Sequence, residues 1–418
     1  MRFIHAADIH LDSPLTGLSA YQDAPAALLR TATRDAFENL VAEAIAEKVD
    51  FMVIAGDLYD GNWKDFNTGI FFARQMGRLN SAGIPVFLLY GNHDADNEMT
   101  KKLLLPENVH RFPTGKPGTF KLPELKVALH GRSFKDAATT ENLAVGYPEP
   151  VHGWLNIGVL HTALEGKSAH ANYAPCTIAE LEARGYQYWA LGHVHEHRIW
   201  RGTSTIAFPG NLQGRHIRET GPRGALMVTA NGAEIESVER IYVDVLRWHA
   251  LEVDVSAASN LAEVVRLAAR SIEQMLDDSE GDLPMAVRVT LVGASPAHGE
   301  LFGLEAQVRA EVLAQAASIN ASRLWIEKVR VDTSPHELAE QVAARSDAIA
   351  DLQALLAKAE ADSGFLQGLQ DDLMQLVGKL PLEVIAAVPQ LEAIRSGNVQ
   401  ELVRSTTPSL VAQVAKAG

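Results

Sequence analysis

The sequence predicts an α/β protein whose N-terminal half consists of two β-sheets packed face to face, with helices on the outside. In the first 90 residues, apolar runs of strand length alternate with longer segments whose apolar residues recur at helical spacing, a pattern typical of strands connected by helices. From there to about residue 243, short strands follow one another closely. This change of pattern favours two packed sheets over a single one.

Three strands and two helices are predicted first. The strands cover residues 2–7, 50–55 and 84–90, and the second of them, DFMVIA, is a continuous apolar run after its aspartate, as expected for a strand buried on both faces. Residues 25–48 and 65–80 are predicted helices, and the first of them carries one apolar stripe.

The strand-rich part that follows contains one predicted helix, near residues 177–184. Its short strands complete the predicted two-sheet domain, residues 1–243. They are predicted at residues 126–131, 157–161, 186–192, 199–200, 205–208, 225–229 and 234–242.

Two smaller domains are predicted after this one. Residues 244–334 show the order strand, helix, strand, helix, strand, which indicates a small α+β domain, and the acidic residues 277–282 are expected to form a solvated loop inside it. Residues 335–418 are rich in Ala, Leu, Gln and Glu and are predicted to be helical, with leucines on amphipathic faces. The elements of the α+β domain are predicted at residues 246–255, 261–276, 285–293, 303–317 and 322–331.

The composition is that of a globular protein. Of 418 residues, 47% are hydrophobic and 21% are charged, which excludes a largely disordered or collagen-like chain. No run of 18 apolar residues occurs, and Asp8 interrupts the N-terminus before a signal-peptide core, so we expect a cytoplasmic protein without membrane segments. Cys176, the single cysteine, is expected to be a small buried hydrophobic residue.

The formal net charge of −15 bears on the class of ligand. Lys and Arg contacts to phosphates normally supply most of the non-specific affinity for nucleic acids, so this charge argues against a broad basic surface. If the substrate is DNA, bound divalent cations or a basic partner subunit must compensate locally.

Side chains that bind metals recur just beyond the ends of predicted strands. In open α/β sheets the carboxyl ends of the strands line the ligand crevice, so such tips are expected to converge, and glycines before three of them allow tight turns. Each tip alone is as easily explained by a capping carboxylate or a core histidine, whereas five in succession favour a metal centre. The tips are Asp8-Ile9-His10, Gly56-Asp57-Leu58-Tyr59-Asp60, Gly91-Asn92-His93-Asp94, His161 and Gly192-His193-Val194-His195.

The residue types at these tips suit a pair of divalent metal ions. Imidazole, carboxylate and amide oxygen together suit Mn, Fe or Zn, and the lack of thiolates disfavours a structural zinc site. Two ions roughly 3.5–4 Å apart hold both the attacking and the departing oxygen in a phosphoryl displacement. A bridging carboxylate is then needed, and Asp57 is the natural candidate.

In these five blocks and their order, the chain resembles the calcineurin-like metallophosphoesterases. The resemblance covers roughly residues 1–240 and implies a four-layer αββα sandwich. Within that superfamily, the segments FIHAADIHLDSPL and FPGNLQGRHIRETGPRG resemble the SbcD-type DNA repair exonucleases. In these the domain after the catalytic one is a capping domain, which is implied here for residues 244–334.

The resemblance implies a role for each residue at the tips. Asp57 would bridge two divalent ions, most simply Mn²⁺ with Fe²⁺ or Zn²⁺ as alternatives. His93 would contact the scissile phosphate and protonate the leaving oxygen, and Asp94 would orient its ring. The implied ligands are Asp8, His10 and His195 for one ion, and Asn92, His161 and His193 for the other.

Weaker signals surround these residues. Some relatives have a histidine, tied to exonuclease action, where this chain and the SbcD-like members have aspartate, Asp60; it is expected either to hold a ligand in place or to serve packing and turn formation. Arg215, His216 and Arg218 share a glycine-flanked loop. They are expected either to grip a DNA backbone or to form a solvated basic loop.

The implied reaction is hydrolysis of a phosphodiester in DNA, by a DNA exonuclease or endonuclease acting in repair. The resemblance also implies a coiled-coil ATPase partner of SbcC type, bound by the helical tail, and a homodimer. Two alternatives remain: a metallophosphoesterase for nucleotides or other small phosphoesters, and a non-catalytic scaffold for an ATPase. The complete set of candidate ligands argues against the scaffold.

Overall fold

The chain folds into two compact units. In this computed structural model, the first unit comprises Met1–His249 with Leu283–Ala286, and the second comprises Ala250–Asp282 with Val287–Gly418. The predicted domains 244–334 and 335–418 thus fall mostly within the second unit. The structure describes residues 1–18, 26–60, 66–95, 105–165, 173–279, 281–301, 304–320, 322–336, 347–380, 385 and 388–417.

The first unit contains the strand–helix alternation and the strand-rich part of the sequence. Its helices are α1 (Ala26–Ala46), α2 (Phe66–Ser81), α3 (Asn92–Ala95), the 3₁₀ turn Leu143–Gly146 and α4 (Ile178–Glu182). Its strands are β1 (Arg2–Ala6), β2 (Phe51–Ala55), β3 (Val86–Leu89), β4 (Val109–Arg111), β5 (Gly118–Leu122), β6 (Val127–Gly131), β7 (Leu155–His161), β8 (Tyr188–Gly192), β9 (Arg198–Arg201), β10 (Thr205–Phe208), β11 (Gly224–Asn231) and β12 (Glu234–Tyr242).

These strands form two six-stranded mixed sheets. The first has the order β12-β11-β1-β2-β3-β4, and the second has the order β5-β6-β7-β8-β10-β9. Strands β1 to β4 are parallel, with Ile4 opposite Met52 in the β1–β2 register. Strands β6, β7, β8 and β10 are parallel in the second sheet. The carboxyl ends of neighbouring strands therefore lie side by side in each sheet.

Three apolar layers hold the sheets and helices together. Phe3, Phe51 and Phe87 lie in the layer between the two sheets, and the rings of Phe3 and Phe51 stack with their centroids 4.7 Å apart. Burial of each such side chain contributes about 1.5–3 kcal/mol. Helices α1 and α2 cover the outer face of the first sheet, and Leu181 of α4 packs with Trp189 on the outer face of the second. The predicted four-layer αββα sandwich is confirmed.

The predicted and observed elements differ at short segments. Strands β4 and β5 were not predicted, because they are partly exposed and contain polar residues, so that they lack the continuous apolar run of a buried strand. Helix α3 was not predicted, because four residues are too few to show a helical period. The prediction of an acidic loop was wrong for Asp277 and Asp278, which lie in the last turn of a helix capped by Ser279. Residue 280 lies outside the described residues.

The second unit combines a small sheet with helices. No helix in the described part of the chain is long and apolar enough to cross a membrane. Residues 337–346 of the predicted helical tail lie outside the described residues. The elements that lie wholly or mostly in this unit are β13 (Arg247–Asp254), α5 (Leu261–Asp278), β14 (Met285–Ser295), α6 (His298–Leu301), α7 (Glu305–Asn320), β15 (Leu324–Pro335), α8 (Asp347–Ala361), α9 (Ser363–Val377), α10 (Pro389–Arg395) and α11 (Val399–Ala417).

Candidate metal centre

The tips of β1 and β2 run side by side beyond the sheet. The Asp8 and His10 amides donate to the carbonyls of Gly56 and Asp57, both at 3.0 Å. Asp8, His10 and Asp57 have φ angles of 49°, 46° and 51°, and His193 has a φ of 101°. Few non-glycine residues adopt such angles. Strained backbone of this kind clusters at functional sites, where the surroundings enforce it.

Three glycines let the tips approach one another. A Cβ on Gly91 would lie 2.3 Å from Asp57 Oδ1, and one on Gly192 would lie 2.0 Å from the Ala55 carbonyl oxygen. Gly56 has a φ of 98°, and its Cβ would lie 2.4 Å from His161 Nδ1. The expected role in tight turns therefore applies to Gly56, whereas Gly91 and Gly192 are needed because no side chain fits there.

One group of candidate ligands joins the first and last tips. Asp8, His10 and His195 place one ligand atom each within 4.8 Å of one another. Both oxygens of Asp8 accept from the His193 amide at 3.0 Å. His10 Nε2 lies 3.2 Å from His195 Nε2. The structure therefore brings together the three residues expected to bind one ion.

A second group joins the middle tips. Asp57, His161 and His193 also place ligand atoms within 4.8 Å of one another, and Asn92 Oδ1 lies 3.0 Å from His161 Nε2. Asp57 Oδ2 is 3.4 Å from His161 Nε2 and 3.9 Å from His10 Nε2. Asp57 thus lies between the two groups, in the position expected of a bridging carboxylate.

The donor set fits a bound cation. His161 Nδ1 donates to the Ala55 carbonyl at 3.0 Å, so its Nε2 directs a lone pair toward the oxygens of Asn92 and Asp57. A cation bound at this point, or a proton on His161 Nε2, satisfies the three acceptors. Accordingly, although burial opposes it, the neighbouring Asp57 carboxylate raises the pKa of His161 to about 9. His10 Nδ1 is buried without a hydrogen bond, and Asp60 Oδ1 lies 3.6 Å away.

His93 lies beside this centre and is partly open to solvent. Its amide donates to Asp57 Oδ1 at 3.0 Å, and its side chain is 37% exposed, with Nδ1 3.3 Å from Asp60 Oδ1. The Asp94 oxygens instead accept from the backbone amides of Leu58, Tyr59 and Gly91. The orienting role of Asp94 therefore stays a prediction, and the contact at the His93 ring favours Asp60 in that role.

The basic loop borders the same cavity. Arg215, His216 and Arg218 line a cavity of about 560 Å³ together with Asp57 and His93. Arg218 is exposed. Arg215 is only 14% exposed, and its Nη1 lies 3.9 Å from Asp60 Oδ1. The structure thus places all three loop residues near the candidate centre, with Arg215 held inside the protein.

Sequence reasoning missed two buried residues of this cavity. Glu219 Oε1 accepts from His195 Nδ1 at 2.7 Å, and Arg223 donates to the His195 carbonyl. Burial opposes ionisation of Glu219, but the hydrogen bond from His195 and the charge of Arg215 hold its pKa well below the usual range. Both residues lie in the segment FPGNLQGRHIRETGPRG, which carries the family resemblance but assigned no role to either of them.

Comparison with known proteins agrees with this site. Residues 1–197 match the family model described as calcineurin-like phosphoesterase. Over 300 residues the chain is 33% identical to the "Uncharacterized metallophosphoesterase YhaO" of Bacillus subtilis (strain 168), which covers 71% of this chain and 72% of that protein. The fold and the site are those of a metallophosphoesterase, and the chain belongs to the calcineurin-like phosphoesterase family.

The chain is also similar to particular metallophosphoesterases and to one of their domains. Residues 248–334 match the middle domain of metallophosphoesterase YhaO. The chain is 28% identical over 246 residues to the "DNA double-strand break repair protein Mre11" of Sulfurisphaera tokodaii, which covers 56% of this chain and 61% of that protein. A solved dimetal phosphatase from Danio rerio covers 58% of this chain and 97% of its own, at 12% identity and a TM-score of 0.37. As a metallophosphoesterase, the protein uses divalent metal ions.

Proposed function

We propose that the protein is a phosphodiesterase that cleaves DNA as an exonuclease or endonuclease. The observation that carries this proposal is the cavity itself. Asp57 and His93 share it with cationic side chains, among them the exposed Arg218, in a chain whose net charge is −15. Local positive charge beside the reacting groups is what a polyanionic substrate requires. The similarity to Mre11 supports DNA as that substrate.

Each of the two groups of candidate ligands is proposed to bind one divalent ion. Asp57 would contact both ions, for which Mn²⁺ is proposed, with Fe²⁺ or Zn²⁺ as alternatives. When bound, such a pair lowers the pKa of a water molecule and neutralises charge that develops on the phosphate. Asp8, His10 and His195 hold one ion, and Asn92, His161 and His193 hold the other.

His93 is the proposed proton donor. Asp57 Oδ1 accepts its amide hydrogen, and Asp60 Oδ1 lies 3.3 Å from its Nδ1. With Nδ1 beside Asp60, the nitrogen proposed to donate a proton to the departing sugar oxygen is Nε2, which lies 4.0 Å from Asp57 Oδ2. The partial exposure of the ring is consistent with access to a substrate.

The test is degradation of end-labelled linear single-stranded and double-stranded DNA with Mn²⁺. We expect His93→Ala to slow cleavage by about 10²- to 10⁴-fold, and Asp57→Ala to abolish it. With bis-p-nitrophenyl phosphate, His93→Ala should have a smaller effect, because nitrophenolate leaves without a proton. His152→Ala, at an exposed histidine of another loop, is the control and should match the wild type.

The two substitutions also separate the alternatives. Turnover of the small diester without DNA cleavage would contradict the nuclease and favour a small phosphoester as substrate. DNA cleavage that survives Asp57→Ala would contradict the metal ligation proposed for this residue. If neither substrate is turned over with any of the three metals, the scaffold becomes the better interpretation.

The partners of the protein remain proposals. The helical region exposes large apolar side chains at Leu355, Phe365 and Leu376, which is consistent with binding to a coiled-coil ATPase of SbcC type. Leu355→Asp combined with Leu376→Asp should then weaken that binding without changing diester turnover. The homodimer would be contradicted by a solution mass of 45.3 kDa, the mass of one chain, in light scattering.

A further inference from the structure

Glu219 is a buried carboxylate surrounded by donors. Its side chain is 7% exposed, and its Oε1 lies 2.7 Å from His195 Nδ1. Its Oε2 accepts from Asn211 Nδ2 at 2.9 Å and from the Arg215 amide at 2.7 Å. Both oxygens are therefore held by hydrogen bonds, which fixes the plane of the carboxylate against the His195 ring.

The contact determines which nitrogen of His195 carries the proton. A carboxylate only accepts, so the 2.7 Å contact requires a hydrogen on His195 Nδ1. Arg215 Nη2 lies 3.3 Å from the same nitrogen, but a guanidinium cannot accept, and its shorter contact, at 3.2 Å, is to Glu219 Oε1. The lone pair of His195 is thereby directed from Nε2 toward His10 and Asp8, where the ligand atoms converge.

His161, in the second group of ligands, is held differently. His161 Nδ1 donates to a neutral carbonyl, that of Ala55, whereas His195 donates to a charged carboxylate. Hydrogen bonds to a charged acceptor are roughly twice as strong as neutral ones. The two halves of the centre are thus built with different acceptors behind their histidines.

We propose that Glu219 is a positioning residue that orients His195 for metal binding, and that Arg215 holds Glu219 in place. Arg215 contacts Glu219 with both its amide and its guanidinium, and it contacts Ser13 through Nη1 at 3.3 Å. The Arg215 guanidinium therefore helps to hold the Glu219 carboxylate in position. The inference rests on the metal ligation in the proposed function, not on DNA as the substrate.

The test is calorimetric titration of the metal-free full-length protein with Mn²⁺. The wild type should bind two ions, and Glu219→Gln should weaken one of them by about 10- to 100-fold while leaving the other unchanged. Glu219→Asp keeps the charge and should recover part of the loss. Glu196→Gln is the matched control, because Glu196 lines the same cavity but is exposed and pairs with Arg198.

A second readout separates positioning from a merely structural role. The melting temperature of the metal-free Glu219→Gln protein should fall, because a glutamine side chain cannot accept from all the donors that hold the carboxylate. The additional stabilisation by Mn²⁺ should also be smaller than in the wild type. Unchanged affinity for both ions would overturn the inference, as would an equal loss at both ions. If Glu219→Gln does not fold, Arg215→Met should weaken the same single ion, and wild-type affinity for both would overturn the inference. No substrate is involved, so failed DNA cleavage does not affect this result.

Discussion

Asp57 connects the parts of the candidate centre. Its Oδ1 accepts the amide of His93, and its Oδ2 faces His161 and His10 at 3.4 and 3.9 Å. Burial opposes ionisation, but His161 and His10 hold the pKa of Asp57 well below its usual range. A buried carboxylate with two histidines on one oxygen and the His93 amide on the other fixes the geometry of metal site and proton donor together.

His5 shows that a buried histidine need not be a ligand. Its Nδ1 lies 2.9 Å from the Tyr188 hydroxyl and its Nε2 lies 3.1 Å from the Leu191 carbonyl. The neutral ring satisfies both, accepting from Tyr188 and donating to Leu191. Burial lowers the pKa of His5 to about 3. The ring is therefore neutral in the folded protein throughout the physiological range.

This histidine makes stability depend on pH. Below about pH 6.5 His5 is protonated in the unfolded chain, whereas in the folded chain it stays neutral down to about pH 3. The stability that the neutral His5 ring contributes is therefore lost as the pH falls through this window. We expect His5→Gln to reduce the slope of unfolding free energy against pH by up to about 1.4 kcal/mol per pH unit. Denaturant unfolding of the metal-free protein at several pH values measures this slope.

The exposed His152 supplies the control for this measurement. His152→Gln should follow the wild-type dependence. A His5→Gln slope equal to that of the wild type would contradict the assignment of a neutral buried ring to His5.

At the scale of elements, the centre is a property of parallel strand ends. Strands β1, β2 and β3 are parallel neighbours, and β7 and β8 are parallel neighbours in the facing sheet, with His161 opposite Gly192 in their register. Parallel strands direct their carboxyl ends to one edge of each sheet. The tips converge because the two sheets pack with these edges together, as the contact of Gly192 with Ala55 shows.

Because these tips approach one another closely, we expect a single methyl group added at Gly91 to lower the stability of the protein. Gly91→Ala would place a Cβ 2.3 Å from Asp57 Oδ1 and 2.9 Å from the Asp57 amide nitrogen, which forces a shift of backbone. We expect a loss of about 1–3 kcal/mol in unfolding free energy, as for other overpacked sites. Mn²⁺ affinity should also fall. Denaturant unfolding and metal titration measure the two effects.

A glycine elsewhere in the same unit provides the comparison. Gly77 lies in α2 with nothing within 4 Å of the position of its Cβ, so Gly77→Ala should raise stability by up to about 1 kcal/mol and leave Mn²⁺ affinity unchanged. If Gly91→Ala behaves like Gly77→Ala, the close approach is not what requires glycine at position 91.

At the scale of the whole molecule, the negative net charge of the chain opposes the proposed binding of DNA. A chain with a charge of −15 repels a polyanion, so the proposed binding of DNA depends on bound cations and on few local side chains. We expect the His93→Ala protein to bind duplex DNA weakly in EDTA and at least about ten-fold more tightly with Mn²⁺. Fluorescence anisotropy with labelled duplex measures both affinities, because the slowed cleavage by this variant leaves the duplex largely intact during the measurement.

The exposed arginine of the cavity should contribute to this binding. Arg218→Ala is expected to reduce the slope of log affinity against log salt by about one, the value for one phosphate contact. Arg266→Ala, an exposed arginine on α5, is the control and should leave the slope unchanged. Binding that is equally strong in EDTA, or insensitive to Arg218→Ala, would contradict this account of the charge.

The sequence by itself determined the layers of the sandwich and the residues that meet at the candidate metal centre. Apolar runs identified the buried strands β1, β2 and β3, because a strand covered on both faces has no polar side. Each candidate ligand lies at the end of a predicted strand or within a few residues beyond it, so its place near the strand end required no knowledge of packing. Asp8, His161 and His193 were found in this way.

Only the tertiary structure decided how these residues are held. Glu219 reaches His195 from 24 residues away. Asp60 lies at the His93 ring, whereas the adjacent Asp94 accepts from backbone amides. Neither contact has a periodic signal, because each depends on the path of an irregular segment. Strand ends are placed by regular hydrogen bonding that a sequence period records, whereas the groups behind the ligands are placed by loops that record none.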